Sequence, residues 1–204
     1  MSLDDTLELD LQFAKRGGLL PAAIQLNDGA LMDFGYVSPM DFDASLKTGK
    51  LRLVEKEGNC LGNYSGIQRI FVDCDQDALV YRIDNNKAYN LGSPFPRLEL
   101  GEIIPAIVTD GSRGNRYETP LMIGYANNDA FLQCFKGYAT FWKTSENRLW
   151  TKGETSGDKL KMIYVGGFDN AIVYGVELEG NGVCHTGRPT CFYREIKNGR
   201  LEFT

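Results

Sequence analysis

The chain has 204 residues, 43% of them hydrophobic and 24% charged, with a formal net charge of −5. That length suits one large domain or two of about 100 residues, and the apolar content is enough for a sizeable core. An acidic chain without clustered Lys and Arg argues against a nucleic-acid or anionic-membrane surface, and no apolar run approaches the ~20 residues that span a bilayer.

In chain order, Met1 to Asp10 is acidic and lacks the basic-then-apolar plan of a secretion signal, so a cytoplasmic location is expected. Five cysteines, an odd number without an export signal, point to metal binding or plain burial rather than a disulfide framework. Leu20-Pro21-Ala22-Ala23-Ile24 is echoed by Ile104-Pro105-Ala106-Ile107-Val108. Leu31-Met32 with Gly35-Tyr36 is echoed by Leu121-Met122 with Gly124-Tyr125, the first copy carrying one extra residue. A short helix is predicted over Met40 to Leu46 and again over Asn128 to Phe135. β-Branched and aromatic runs predict strands at Ile67–Val72, Ala78–Ile83, Lys161–Val165 and Ala171–Val176. Val72 to Ile83 lies over Val165 to Val176, and Ser65-Gly66 over Ser156-Gly157. The intervening Asn85 to Arg97, rich in Asn, Gly and Pro, reads as a linker.

These repeats predict an α+β fold of two homologous small units, 1–90 and 91–204, each a mostly antiparallel β-sheet with short helices. Such units are expected to pack as a pseudo-twofold fused dimer, either monomeric or pairing further into a homodimer by exchange of halves.

The first copy carries Asp73-Cys74-Asp75-Gln76-Asp77. In an extended segment the three carboxylates share one side and Cys74 faces the other. Like charges so close repel unless a cation sits among them, and oxygen ligands of this kind suit Mg2+. An acidic turn in water is the alternative, and the motif alone leaves both open. The second copy has Gly166, Gly167, Phe168 and Asn170 at the positions of Asp73, Cys74, Asp75 and Asp77. In return it carries Cys184-His185-Thr186-Gly187-Arg188-Pro189-Thr190-Cys191-Phe192, without counterpart in the first copy. Two cysteines at that spacing beside the chain's single histidine fit zinc, though the spacing is wider than a zinc knuckle's, and they fit buried structural thiols as well. Three Cys ligands and an open position form a catalytic rather than a structural zinc pattern. It requires Cys74 to join Cys184 and Cys191, leaving Cys60 and Cys134 as packing residues.

These residues resemble the phosphoribosyl-AMP cyclohydrolase family, whose domain carries three long runs. Here they stand as Leu149-Trp150-Thr151-Lys152-Gly153-Glu154-Thr155-Ser156-Gly157, as Asp73 to Leu79, and as Cys184 to Phe192. The resemblance implies zinc on Cys74, Cys184 and Cys191, and magnesium on Asp73, Asp75 and Asp77. The second site of such a dimer would need Gly167 as a ligand and is expected to be dead. The implied reaction is hydrolytic opening of the purine ring of phosphoribosyl-AMP between N1 and C6, zinc activating the water. His185 is the candidate proton carrier, since imidazole titrates near neutrality, and Lys152 and Glu154 are further catalytic candidates. Trp150, Gly153, Thr155, Ser156, Gly157 and Arg188 are the candidate contacts for the phosphorylated purine.

The sequence departs from the family after Phe141-Trp142, where Lys143-Thr144-Ser145-Glu146 replaces the usual Ser-Arg-Ser-Arg. Arginines grip phosphate bidentately, so Arg148, Arg188 or Arg194 would have to compensate. Two other readings therefore stand beside the first: a divergent zinc hydrolase acting on another purine or cyclic amidine, and a non-catalytic metal-binding scaffold.

Overall fold

The computed structural model describes residues 7–84, 102–112 and 120–204. The predicted linker at Asn85 to Arg97 and the first six residues lie outside that range. The elements run β1 (Leu20–Leu26), β2 (Leu31–Val37), α1 (Pro39–Thr48), β3 (Lys50–Val54), β4 (Cys60–Ser65), β5 (Ile67–Val72) and β6 (Leu79–Ile83). They continue with β7 (Ile104–Asp110), β8 (Pro120–Ala126), α2 (Asn128–Cys134), β9 (Thr140–Lys143), β10 (Arg148–Thr151), β11 (Lys159–Phe168), β12 (Ala171–Glu179), β13 (Arg194–Lys197) and β14 (Arg200–Phe203). A mostly β chain with two short helices is α+β in kind, and among the described residues no helix is long and apolar enough to cross a membrane.

The chain divides into two compact units, residues 1–90 with 191–204, and residues 91–190. The sequence reading grouped 191–204 with the second half. The structure returns them to the first, because β13 pairs antiparallel with β5 through Arg194↔Val72 and Glu195↔Phe71.

The first unit is one eight-stranded sheet in the order β14-β13-β5-β6-β1-β2-β3-β4. Alternate residues of its central strands, Leu20, Ala22 and Ile24 of β1 with Leu79, Tyr81 and Ile83 of β6, enter one apolar cluster, as the two-residue period of a strand dictates. Phe42 of α1 and Leu201 of β14 join it, and each fully buried side chain of this size contributes ~1.5–3 kcal/mol. Helix α1 starts where Ser38 accepts the Asp41 N–H at 3.1 Å with Pro39 in the first turn, both strong start signals.

The second unit holds a four-stranded sheet, β11-β12-β7-β8, and the hairpin β9-β10. Its register repeats that of the first. Ala22 pairs with Gly35 across β1–β2 and with Leu79 in the parallel ladder to β6. Ala106 pairs with Gly124 across β7–β8 and with Ile172 in the parallel ladder to β12. A bulge falls at Ile24/Gln25 in one and at Val108/Thr109 in the other. Each unit also buries a tyrosine against a small polar residue of its helix. Ser45 Oγ lies 3.3 Å from the Tyr81 hydroxyl; Tyr174 is likewise fully buried, and Cys134 Sγ accepts the Thr140 N–H at 3.2 Å. Burial pushes the Cys134 thiol up, so Cys134 is the packing residue expected. Cys60, by contrast, is exposed at the start of the edge strand β4, where the first two residues both lie open to solvent.

An ion pair ties the C-terminal hairpin to the sheet, Arg69 Nη2 lying 2.6 Å from Glu195 Oε2. The hydrogen bond from Arg69 holds the Glu195 carboxyl below the usual carboxylate range. A depressed folded-state pKa means stability that is present above the unfolded value and lost as pH falls through the folded one. Glu195→Gln is expected to lower stability by about 0.5–1 kcal/mol near neutral pH, the pair being partly screened. The difference should shrink towards zero well below the ordinary carboxylate pKa, as urea midpoints at the two pH values would register.

Candidate active site

Residues 73–78 link β5 to β6 as a tight turn, not as the extended segment their alternating spacing suggested. The reason is local: Asp73 Oδ1 accepts the N–H groups of Asp77 at 2.8 Å and Ala78 at 3.0 Å, folding the chain around its own side chain. Gln76 takes the left-handed conformation, φ 57°. Cys74 therefore does not face away from the carboxylates. The ligand atoms of Asp73, Cys74 and Asp75 all lie within 4.8 Å of one another.

Asp73 and Cys74 are buried and Asp75 is exposed. Burial, and next the charge of Asp77, push the Asp73 carboxyl well above the usual range, against the pull of its two backbone N–H groups. Such a group favours either a proton or a nearby cation, which makes this set a fit for a metal ion. Asp77, the third expected magnesium ligand, is engaged elsewhere: its Oδ2 lies 2.7 Å from Arg16 Nη2 and 2.8 Å from Lys15 Nζ. Sequence reasoning missed both cations, which sit about sixty positions upstream with no motif around them.

Arg194, considered as a phosphate grip, is fully buried instead. Its Nη2 donates to the carbonyl oxygens of Asp73 at 2.5 Å and Cys74 at 2.7 Å. It is a brace under the acidic turn, and its place directly after the apolar Phe192-Tyr193 was the signal available. Cys191, half-buried, belongs to the same unit.

The second unit holds the remaining candidates. Trp150 of β10 packs on Phe141, ring centroids 5.7 Å apart. Residues 152–157 form the turns that leave β10, closed by the Gly157 N–H donating to the Gly153 carbonyl at 2.9 Å. Lys152 is buried, its Nζ 3.4 Å from the Asp158 carbonyl, whereas Glu154, Thr155, Ser156 and Gly157 are exposed. Glu154 accepts from Arg148 at 2.7 Å, which holds its carboxyl below the ordinary range. Arg148 also reaches Glu146 at 2.7 Å, and Glu146 bonds Lys143 as well. Arg148 is thus shared between two carboxylates.

In the third run Cys184 is buried and His185 exposed. The Cys184 N–H donates to Arg188 O at 3.0 Å and the Gly187 N–H to Cys184 O at 2.9 Å, a compact loop. Thr186 Oγ1 donates to Cys184 Sγ at 3.1 Å. Farther along, Thr190 Oγ1 donates to the carbonyls of Pro120 and Leu121 at 3.0 and 3.1 Å. None of the five cysteines forms a disulfide.

Residues 122–193 match the family model described as phosphoribosyl-AMP cyclohydrolase. The chain is 39% identical over 100 residues to the phosphoribosyl-AMP cyclohydrolase of Solibacter usitatus, a match covering 48% of this chain and 76% of that protein. It is 40% identical over 101 residues to the enzyme of the same name from Saccharophagus degradans, covering 48% and 76%. A histidine biosynthesis bifunctional protein of Aquifex aeolicus is 36% identical over 103 residues, covering 49% of this chain and 48% of that one. The chain belongs to the phosphoribosyl-AMP cyclohydrolase family, and is accordingly a hydrolase of the cyclohydrolase class.

Proposed function

We propose that this chain hydrolyses phosphoribosyl-AMP, opening the adenine ring between N1 and C6, as a step of histidine biosynthesis. The observation that carries the reading is that one matched segment, 122–193, contains both the Lys152–Gly157 turns and the Cys184–Cys191 loop. The equivalent registers of the two units support an origin by duplication, one copy keeping the carboxylates and Cys74, the other the loops. Pseudo-twofold packing of the two and a cytoplasmic location belong to the same proposal.

Cys74, Cys184 and Cys191 are the proposed zinc ligands; three thiols outside any disulfide, one of them receiving a hydroxyl hydrogen bond, suit that ion. Zinc bound there supplies the Lewis acidity that makes water a competent nucleophile at neutral pH. His185, exposed beside Cys184 in sequence, is proposed to carry the proton to the departing ring nitrogen. Lys152 offers a buried ammonium, and Glu154 a carboxylate kept ionised by Arg148. The backbone of Gly153 and Gly157, the hydroxyls of Thr155 and Ser156, the Trp150 ring and Arg188 are proposed to hold ribose, base and phosphate. Asp73 and Asp75 are the proposed ligands of a hard cation, Mg2+, close to substrate phosphate.

One observation favours a second reading. Glu146 stands where an arginine is usual, and together with Glu154 it occupies Arg148, so a purine or cyclic amidine with less phosphate is the alternative substrate.

The test is turnover of phosphoribosyl-AMP by protein supplied with zinc and magnesium, beside Cys74→Ser. Hydrolysis that drops on the order of 100-fold in the variant is expected, since thiolate ligands set zinc affinity. Folded, zinc-loaded protein that leaves phosphoribosyl-AMP untouched would move the assignment to purines lacking the second phosphoribosyl group, and failure on those as well would leave a scaffold.

A further inference from the structure

The acidic turn is clamped by a segment that the reaction does not use. Residues 8–16 lie along it as a strap: the Asp10 N–H donates to Gln76 Oε1 at 2.8 Å, Gln76 Nε2 donates to Glu8 O at 3.1 Å, and the Gln12 N–H donates to Gln76 O at 2.8 Å. Leu9, Leu11 and Phe13, at alternate positions, pack against the core cluster and fix the strap in place. It ends in a single 3-10 turn, Ala14–Arg16, which delivers the Lys15 ammonium and the Arg16 guanidinium to one oxygen of Asp77. Asp77 is only 4% exposed and Gln76 is fully buried, so the contact is part of the fold rather than a passing surface pair.

Two cations on one buried carboxylate leave it no charge to offer a third. Mg2+ demands near-ideal octahedral geometry at about 2.0–2.1 Å; at Oδ2 it would have to displace both side chains, and at Oδ1 it would sit against two cations already in place. Asp77 does not fit as a magnesium ligand, and of the three carboxylates in the turn it is the one paired with Lys15 and Arg16. We propose that Lys15 and Arg16 take the place of a divalent cation at Asp77, as positioning residues that hold the turn in shape and confine any bound hard cation to Asp73 and Asp75.

The inference rests on the proposed function only in taking the turn as part of the site, and its test reads binding rather than turnover. Mn2+, a hard divalent probe visible by electron paramagnetic resonance, is titrated into the zinc-supplied protein, Asp77→Asn, and the double variant Lys15→Gln/Arg16→Gln. The parent and Asp77→Asn are expected to bind Mn2+ within about twofold of each other. The double variant, with a liberated carboxylate, is expected to bind on the order of tenfold tighter, the scale of effects seen when groups around a metal site change. A tenfold or greater loss in Asp77→Asn overturns the inference, because Asp77 would then be a ligand; so does a folded double variant with unchanged affinity. If the double variant does not fold, the Asp77→Asn comparison alone decides. If the parent binds no Mn2+ but the double variant does, the inference stands and the hard-cation part of the proposed function falls, whatever the turnover assay gives.

Discussion

Replacing Arg194 by leucine is expected to lower the stability of the first unit by about 3 kcal/mol or more, since two buried carbonyls each lose a bond to a charged donor worth ~1.5–3 kcal/mol and keep no access to water. Against the 5–15 kcal/mol typical of a folded domain, that is a large share. The guanidinium is fully buried and donates to Asp73 O and Cys74 O, so the loss lands on the backbone that carries the candidate ligands. Arg194→Lys keeps the charge but not the planar fork, and an intermediate loss is expected. Urea unfolding followed by far-ultraviolet circular dichroism measures both. A leucine variant within about 0.5 kcal/mol of the parent, the range of ordinary surface changes, would mean the brace is ornamental.

The second large effect concerns Gly153. At φ +85° a side chain is strained, and a Cβ added there would lie 2.5 Å from Asp158 O, 2.6 Å from Asp158 C and 2.8 Å from Lys159 N, all backbone. No side-chain rotation relieves that clash, so Gly153→Ala must open the turns that set Lys152 and Glu154. Gly157 has the same φ of +85°, yet a Cβ there meets nothing within 4 Å. Gly157→Ala should therefore cost only the left-handed strain, about 1–2 kcal/mol, whereas Gly153→Ala adds the clash to it. Turnover should fall on the order of 100-fold in Gly153→Ala, the scale of a 1 Å misplacement of reacting groups, and much less in Gly157→Ala. Equal effects in the two variants would show that the close approach to Asp158 does not matter.

Much of the architecture was legible because it rests on local pattern. Pro21 and Pro105 each stand second in a strand, and Ala22 pairs with Gly35 as Ala106 pairs with Gly124. The strands expected at Ile67–Val72 and Ala171–Val176 are there, the second running on to Glu179. What escaped depends on partners far away in the chain. Nothing around Lys15 or Arg16 announces Asp77, and the pairing of β13 with β5 joins residues more than a hundred positions apart. The acidic run misled for another reason. Its period of two is a strand signal only when the backbone ladder continues; here Asp73 captures two backbone N–H groups and bends the chain, without the Asn-Gly or Asp-Gly pair that marks a hairpin turn.

The pairing of β13 with β5 also bears on how the chain comes into being. A ribosome delivers the N-terminal end first, and domains tend to fold as they emerge. Here the first unit includes residues 191–204, so its sheet lacks β13 and β14 at one end when residues 1–90 appear. A nascent chain halted after residue 190 already holds every residue of the second unit, while the acidic turn still lacks Arg194 beneath it. Asp73 and Cys74, made well before Arg194, gain its two hydrogen bonds only once that residue has been delivered.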